Sequence, residues 1–332
     1  MSENHLLKID NLNVTFETEN GNLTAVDDVS FIVNYGETLG IVGESGSGKS
    51  VTAESILRLH NEDSTKYDGE INYEGINLLE LSSKKMFHIR GNDISMIFQD
   101  AMTSLNPVFT IGNQIMESII IHQRLNKKQA YAKSIEMLEL IGIPSPEKRM
   151  KEYPHEISGG MRQRIMIAIA LACKPNLLIS DEPTTALDVT IQAQILELIN
   201  SLKEELNMGV IMITHDLGVV AEVCSRVAVM YLGQVVEEAG VEDLFENPFH
   251  PYTMGLLRSI PKIDGERKKK LSTIGGTVPA LNEISKGCRF ASRCIYATEK
   301  CMKEEPRLEE VPDEGRKVRC WNYKDIQKGE VV

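Results

Sequence analysis

Eight consecutive residues, Gly43 to Ser50, have the pattern G-x-x-x-x-G-K-S. Glycines at its first and sixth positions let the backbone curl so that successive N–H groups point inward, toward an anion. In this pattern the lysine, here Lys49, reaches the terminal phosphates of a nucleotide, and the next hydroxyl, here Ser50, binds Mg²⁺. An apolar strand is expected before the loop, at residues 38–42, and a helix after it, at residues 49–59. These features predict a nucleotide-phosphate site rather than a plain glycine turn.

Two acidic residues, Asp181 and Glu182, follow the apolar stretch 177–180. Beside a phosphate loop, the first carboxylate is suited to hold the hydration shell of Mg²⁺, and the second to take a proton from an attacking water. An apolar run that ends in Asp-Glu is often only the end of a strand. The phosphate loop in the same chain favours the catalytic interpretation for both residues.

A third motif, Ser158-Gly159-Gly160, precedes a stretch with the periodicity of a helix. Its hydroxyl and its successive amides can bind an anion at the helix N-terminus. Taken alone, such a turn is usually only a helix start. Because the phosphate loop already provides one anion site, we expect this turn to complete the nucleotide site of another subunit.

The surrounding elements predict how these residues are positioned. Apolar and polar residues alternate from residue 6 to residue 33 around a turn at Asn20-Gly21, which predicts an antiparallel hairpin. Strand–helix alternation indicates an α/β fold with a mainly parallel sheet. The predicted buried strands and helices are strands 38–42, 94–98, 176–180 and 210–214, and helices 113–141, 160–172 and 189–206. Residues from about 100 to 172 are predicted to form a helical subdomain, and residues 250–332, irregular and proline-rich, a small second domain.

Bulk properties exclude some classes of partner. The formal charge of −12, from 48 acidic and 36 basic residues, argues against a general binder of nucleic acid or of anionic membranes. No apolar run approaches the roughly 18 residues needed to span a bilayer, and no secretory signal is expected at the N-terminus. If the protein works at a membrane, we expect it to dock on a partner that spans it.

Four of the six cysteines lie in the last fifth of the chain, with the spacing C-x₅-C-x₆-C-x₁₈-C: Cys288, Cys294, Cys301 and Cys320. The spacing lacks the short C-x₂-C steps of bacterial ferredoxins and of most zinc ribbons. It therefore leaves zinc, an iron–sulfur cluster and plain core cysteines open. Cys173 and Cys224 lie alone in apolar surroundings and are interpreted as small buried side chains.

The ordered set of motifs resembles the nucleotide-binding subunit of ATP-binding-cassette (ABC) transporters over about residues 6–250. The resemblance implies a P-loop NTPase cassette with a mainly parallel sheet core, an antiparallel β subdomain and a helical subdomain, and ATP and Mg²⁺ as cofactors. It implies that Gln99 contacts Mg²⁺ and senses a membrane partner, and that Asp188 crosses the dimer interface. His215 is similar to the switch histidine that contacts the γ-phosphate. Phe16 is similar to the aromatic residue that stacks on adenine, with a core aromatic as the alternative.

Three sets of site residues are expected on this basis. The nucleotide-binding set is Phe16, Gly43, Glu44, Ser45, Gly46, Ser47, Gly48, Lys49, Ser50, Val51, Gln99, Ser158, Gly159, Gly160 and Asp188. The catalytic set is Lys49, Glu182 and His215, and the magnesium set is Ser50, Gln99 and Asp181. One departure concerns the signature, which is typically Leu-Ser-Gly-Gly-Gln and here runs from Ile157 to Met161. The glutamine contact is therefore lost or moved to Gln163.

The tail narrows the resemblance. His250-Pro251-Tyr252-Thr253, the segments 275–279 and 287–290, and Arg293-Cys294 are similar to the C-terminal extension of oligopeptide/dipeptide permease ATP-binding subunits, nearer the D-type than the F-type. This implies a peripheral protein at the cytoplasmic face of the cell membrane. Its partners would be an F-type cassette or a second copy, two membrane permease subunits and an extracellular peptide-binding protein. The resemblance also favours a 4Fe–4S cluster on Cys288, Cys294, Cys301 and Cys320, with zinc as the alternative.

Other functions stay open at this point. A nickel or other small-substrate importer of the same permease group would have much the same cassette. A soluble ABC ATPase that acts on DNA would need a long coiled coil between residues 50 and 158, where the sequence has one compact helical block without sustained heptads. An iron–sulfur regulatory subunit with a vestigial nucleotide site is disfavoured by the presence of Glu182 and His215.

Overall fold

The structure, a computed structural model, describes residues 5–19, 21–99, 104–183, 189–260, 274–284 and 286–329. The chain divides into two units. The first comprises Met1–Leu6, Val33–Thr38 and Glu80–Ile213, and the second comprises Leu7–Ile32, Leu39–Leu79 and Thr214–Val332.

The strands of the described residues are, in chain order, β1 (Leu7–Thr18), β2 (Gly21–Val33), β3 (Thr38–Val42), β4 (Thr65–Tyr73), β5 (Ile76–Asn77), β6 (Ile94–Ile97), β7 (Leu177–Asp181), β8 (Gly209–Ile213), β9 (Arg226–Tyr231), β10 (Gln234–Gly240), β11 (Glu309–Val311) and β12 (Arg316–Val318).

The helices of the same residues are α1 (Lys49–Ile56), α2 (Ser83–Ile89), α3 (Ile111–Gln123), α4 (Lys127–Leu140), α5 (Pro146–Arg149), α6 (Gly159–Leu171), α7 (Val189–Leu206), α8 (Leu217–Val223), α9 (Val241–Glu246), α10 (Pro251–Arg258), α11 (Glu299–Lys303) and α12 (Tyr323–Lys328). Among the residues that the structure describes, no helix combines the length and the apolar character that crossing a membrane requires.

In the first unit, β6, β7 and β8 are neighbouring parallel strands, with Ile94 opposite Leu177 and Leu177 opposite Gly209. Every residue of the three strands is buried. A parallel strand that is covered on both faces needs apolar side chains at successive positions, which explains the continuous apolar runs in the sequence. Because the carboxyl ends of parallel strands lie at one edge of the sheet, the residues that follow β6 and β7 are brought close together.

The predicted long helix at 113–141 is wrong in one respect, because two helices occupy it. The chain leaves α3 at Arg124, which has a left-handed φ of 54°. The next helix, α4, begins with a capping box in which the Asn126 side chain accepts from the Gln129 N–H and the Gln129 side chain accepts from the Asn126 N–H. Local capping therefore ends one helix and starts the next while the apolar periodicity continues.

The second unit contains two groups of strands. One is the sheet β2-β1-β4-β5, in which β1 and β2 are neighbours, as the alternating pattern predicted. In the other group β3 pairs in parallel with β9, and β9 pairs antiparallel with β10. Leu232 and Gly233 form the turn between β9 and β10 with φ values of 44° and 82°, as in the two-residue turns that match the twist of a hairpin.

The tail of the chain continues this second group of strands. β12 pairs antiparallel with β10, and β11 pairs antiparallel with β12. A small core of Phe249, Val311 and Val318 lies beside these strands. The sheet extension was not predicted from the sequence, because strands of three residues have too short a pattern to detect.

A buried carboxylate joins β10 to the start of the tail. Glu237 is 0% exposed and accepts the backbone N–H groups of Phe249 (2.7 Å) and His250 (2.8 Å). The next turn is held by the His250 side chain, whose Nδ1 accepts the N–H of Tyr252 at 3.1 Å. Burial lowers the pKa of His250 to about 3, so the ring is neutral and can accept this bond.

Candidate functional site

The phosphate loop, residues 43–48, connects β3 to α1 in the second unit, as predicted. Two of its glycines are required by the backbone. Gly43 has a φ of 157°, and a Cβ there would meet the Met230 carbonyl oxygen; Gly48 has a φ of 96°, and a Cβ there would lie 2.8 Å from the Ala25 carbonyl oxygen. Close approach of neighbouring backbone therefore sets the loop's shape. Ser45 and Gly46, at its tip, are exposed.

Lys49 lies across the inside of this loop. Its Nζ donates to the Gly43 carbonyl oxygen (2.8 Å), the Glu44 carbonyl oxygen (3.0 Å) and the Ser47 hydroxyl (3.4 Å), and the residue is only 8% exposed. The ammonium is thus directed at the loop interior rather than at solvent. This is the position from which a lysine can neutralise nucleotide phosphates.

In the first unit, the carboxyl edge of β6 and β7 brings together three of the predicted residues. Gln99 follows β6, and its Nε2 donates to Glu182 Oε2 at 2.9 Å. Asp181, 4% exposed, ends β7, and Glu182 follows it with a left-handed φ of 47° while its N–H donates to the Ile213 carbonyl oxygen (2.9 Å). The sequence placed each of these residues at a strand end, but it did not predict the Gln99–Glu182 hydrogen bond.

The signature turn is also in the first unit. Ser158 is exposed and caps α6, with its hydroxyl accepting the Met161 N–H at 3.4 Å, and Gly159 is exposed beside it. Gln163, which was considered as a replacement for the missing signature glutamine, is 2% exposed and donates to the Pro183 carbonyl oxygen at 2.5 Å. Gln163 therefore has a structural role and ties α6 to the residue that follows Glu182.

Two further predicted residues lie in the second unit. His215 is exposed immediately after β8, where Asp216 caps α8 by accepting the Gly218 N–H at 2.9 Å. Phe16 is half-buried in β1, and its ring lies edge-on to His60 at 5.1 Å between centroids. Asp188 and the rest of the predicted interface loop, 185–188, lie outside the described residues.

Two contacts to the phosphate loop were missed by sequence reasoning. The Tyr252 hydroxyl accepts the Glu44 N–H at 2.8 Å, and the Arg293 guanidinium binds both carboxylate oxygens of Glu44, at 2.7 and 3.1 Å. Both residues belong to tail motifs that the sequence singled out only as marks of resemblance. Their separation of more than 200 positions from Glu44 left no local signal for the contact.

The four tail cysteines converge on one cavity, as the proposed metal site requires. Its lining includes Cys288, Cys294, Cys301 and Cys320, with Phe290, Tyr296 and Trp321. Burial, with the nearness of the other thiols, raises the pKa of Cys288 to about 11 and that of Cys320 to about 12. Within the described part of the chain, however, no group of three or more His, Cys, Asp or Glu side chains has the arrangement of a metal site. The metal therefore stays a prediction.

Comparison with known protein families agrees with both halves of this description. The ABC transporter family matches residues 26–185, and the family described as the oligopeptide/dipeptide transporter C-terminal region matches residues 236–301.

Individual relatives cover nearly the whole chain. The probable peptide ABC transporter ATP-binding protein y4tR of Sinorhizobium fredii is 53% identical over 97% of this chain and 96% of its own length. The oligopeptide transport ATP-binding protein AppD of Bacillus subtilis is 53% identical over 96% of this chain and 97% of its own. Among solved structures, the dimeric post-hydrolysis state of the ATP-binding cassette MJ0796, bound to ADP and Pi, matches with a TM-score of 0.65 and 28% identity over 71% of this chain and 98% of that one. This chain therefore belongs to the ABC transporter family, in the group of ATP-binding proteins that carry the oligopeptide/dipeptide transporter C-terminal region.

Proposed function

We propose that this chain is the ATP-hydrolysing subunit that powers import of di- or oligopeptides through a membrane ABC permease. The observation that carries the proposal is a phosphate loop with Lys49 directed into it, in a chain that also holds Glu182 and Gln99 together at a strand edge. The peptide substrate is supported by relatives named for peptide and oligopeptide transport that are about as long as this chain.

The residues support a direct hydrolysis step. Glu182 accepts a proton from water as the water oxygen bonds to the γ-phosphorus and the bond from that phosphorus to the β,γ-bridging oxygen breaks, which releases ADP and phosphate. Lys49 and His215 would stabilise the charge on the transferred group. Gln99 orients the Glu182 carboxylate through the 2.9 Å hydrogen bond. Mg²⁺, held by Ser50, Gln99 and Asp181, would neutralise the β- and γ-phosphate oxygens when bound.

A second cassette is proposed to complete the site. Ser158 and Gly159 are exposed at the N-terminus of α6, a helix of 13 residues, where backbone N–H groups and the helix dipole favour an anion. This turn would contact the γ-phosphate bound by the opposite subunit, with Asp188 at the same interface and Phe16 on the adenine. The partner is an F-type cassette or a second copy, and the dimeric state of MJ0796 supports such an arrangement.

An exposed apolar patch supports a membrane partner. Val108, Phe109 and Tyr153 are 71%, 52% and 38% exposed, and a hydrogen bond from the Ile111 N–H to the Glu152 carbonyl oxygen (2.9 Å) holds their two segments together. Large apolar side chains grouped at a surface are typical of a protein-binding site. We propose that the two permease subunits dock on this face at the cytoplasmic side of the cell membrane, and that an extracellular peptide-binding protein delivers the substrate.

Reconstituted transport tests the substrate. The chain, assembled with its second cassette and both permease subunits in proteoliposomes, should take up labelled peptide when ATP and the binding protein are present, and Lys49→Ala should abolish uptake. A matched control is Lys151→Ala, because Lys151 is an exposed lysine outside the site. Uptake of Ni²⁺ without uptake of peptide would overturn the peptide proposal in favour of the small-substrate importer and leave the ATPase role in place.

For the tail, we propose that residues 250–332 form an extension of the cassette, residues 1–249, built around a 4Fe–4S cluster, with zinc as the alternative. Four thiols around one aromatic-lined cavity are a donor set that fits either group. The thiols would bind as thiolates, and a cation among them would lower the pKa values that burial now raises. A structural role is favoured because the tail's own apolar core is small.

Anaerobic purification tests the cluster. The expected result is about four iron and four sulfide per chain, with a broad visible absorption that is lost in Cys294→Ser and retained in Cys173→Ser. Cys173 is the control because it lies outside the cavity and contacts Ser118 instead. Zinc in a colourless protein would overturn the iron–sulfur proposal.

A further inference from the structure

Glu44 in the phosphate loop is held at three points. Its carboxylate binds the Arg293 guanidinium through both oxygens, its N–H donates to the Tyr252 hydroxyl, and its carbonyl oxygen accepts from Lys49. Position 44 is one of the variable positions of the loop pattern, so the requirements for phosphate binding do not account for an acidic side chain there. The first two partners both come from the tail.

Arg293 is itself fixed before it reaches the loop. Its side chain is only 4% exposed, and its Nε donates to the Gly275 carbonyl oxygen at 3.0 Å. The guanidinium carbon lies 5.8 Å from the centre of the Tyr231 ring and 5.9 Å from that of the Phe290 ring. Glu44 therefore meets a cation whose position is set by the tail, with little rotamer freedom left to lose.

A second arginine of the same tail segment reaches the other side of the loop indirectly. Arg289 donates to the Leu232 carbonyl oxygen and to Asp27. The turn that contains Leu232 supports the loop, because the Gly233 N–H donates to the Ser47 carbonyl oxygen at 2.9 Å. Arg289 and Arg293 thus hold opposite ends of the phosphate loop, at Ser47 and at Glu44.

We infer that the tail segment 287–294 braces the phosphate loop, and that Arg293 is a positioning residue for ATP binding. The inference rests on the proposed ATP site and adds a role for the tail to it. Arg293 does not touch nucleotide: it fixes Glu44, and so the backbone on which Lys49 and the loop amides are arranged. Preorganisation lowers the cost of ordering the loop when ATP binds.

The effect of the brace is therefore expected in ATP affinity rather than in the chemical step. Loss of a bidentate, charge-assisted pair of this burial should raise the Kd for ATP about 10-fold, which is about 1.4 kcal/mol. Turnover at saturating ATP should change less than about 2-fold, because bound nucleotide restores the loop.

A double-mutant cycle tests the pair. The Kd for ATP is measured by calorimetry for the wild-type chain, Arg293→Met, Glu44→Ala and the double variant, and KM and kcat are measured in the assembled transporter. Each single variant should bind about 10-fold more weakly, and the double variant no more weakly than either single one. Arg293→Lys should recover part of the affinity. Arg307→Met, which changes an exposed arginine of the same tail, is the control and should bind like the wild type.

The outcomes separate the brace from the ATP site itself. Independent effects, with about 100-fold weaker binding in the double variant, or single variants that bind like the wild type, would overturn the brace. A wild-type chain that does not bind ATP would instead overturn the proposed ATP site. Equal metal content and equal melting temperatures across the set show that the tail is folded. If Arg293→Met does not fold, the comparison of Arg293→Lys with Glu44→Gln decides by the same criterion.

Discussion

Replacement of Glu182 by glutamine is the most direct test of the proposed hydrolysis. The substitution keeps the size and shape of the side chain and removes its ability to accept a proton. Gln99 can still donate to the oxygen of the new amide, and the backbone bond from residue 182 to Ile213 does not involve the side chain. The loss is therefore confined to general-base catalysis.

The expected magnitude follows from that confinement. Loss of a general base lowers a rate by about 10² to 10⁴, which is about 2.7 to 5.4 kcal/mol in activation free energy. The Kd for ATP should change less than about 3-fold, since the phosphate loop is unaltered. Phosphate release by the assembled transporter measures the first quantity, and calorimetry on the isolated chain measures the second.

The control for this test is Glu197→Gln, which removes the charge of an exposed glutamate on α7. It should leave the rate unchanged. If Glu182→Gln also kept its rate within about 3-fold of the wild type, Glu182 would not be the base. If it lost ATP binding together with turnover, the change would not be confined to the proton transfer, and the argument from shape would be refuted.

Three further variants test other parts of the description. Ser158→Ala should weaken ATP-dependent association of the cassettes about 10-fold, as measured by sedimentation of the hydrolysis-blocked protein with its partner, while ATP binding to the single chain stays the same; unaltered association would contradict the role of the turn. Gly43→Ala should lower the free energy of unfolding by at least about 2 kcal/mol in chemical denaturation, because the new Cβ meets the Met230 carbonyl oxygen, whereas Gly159→Ala, where a Cβ would meet nothing, should not lower it by that much. Glu237→Ala should cost about 2 to 4 kcal/mol in the same assay, because two buried N–H groups lose their acceptor; a loss below about 1 kcal/mol would argue against that role.

Much of the fold was predictable because its signals are local. The loop Gly43–Ser50, the buried strands and the cap at Ser158 each depend on neighbours within a few positions, so the residue order alone reveals them. The break at Arg124 was missed because the apolar period continues across it. The strands β11 and β12 were missed because their pairing partner, β10, is about 80 residues away.

The candidate site divides in the same way. The amino-acid sequence by itself determined which groups the protein has for phosphate binding and hydrolysis, since backbone curvature at glycine and the chemistry of lysine and carboxylate depend on residue type and spacing. Only the tertiary structure decided that Gln99 bonds Glu182 and that Gln163 is buried under Pro183. The same holds for the placement of Arg293 on Glu44, 249 positions away. Such contacts arise when strand order and burial bring distant segments together, and residue spacing along the chain carries no record of them.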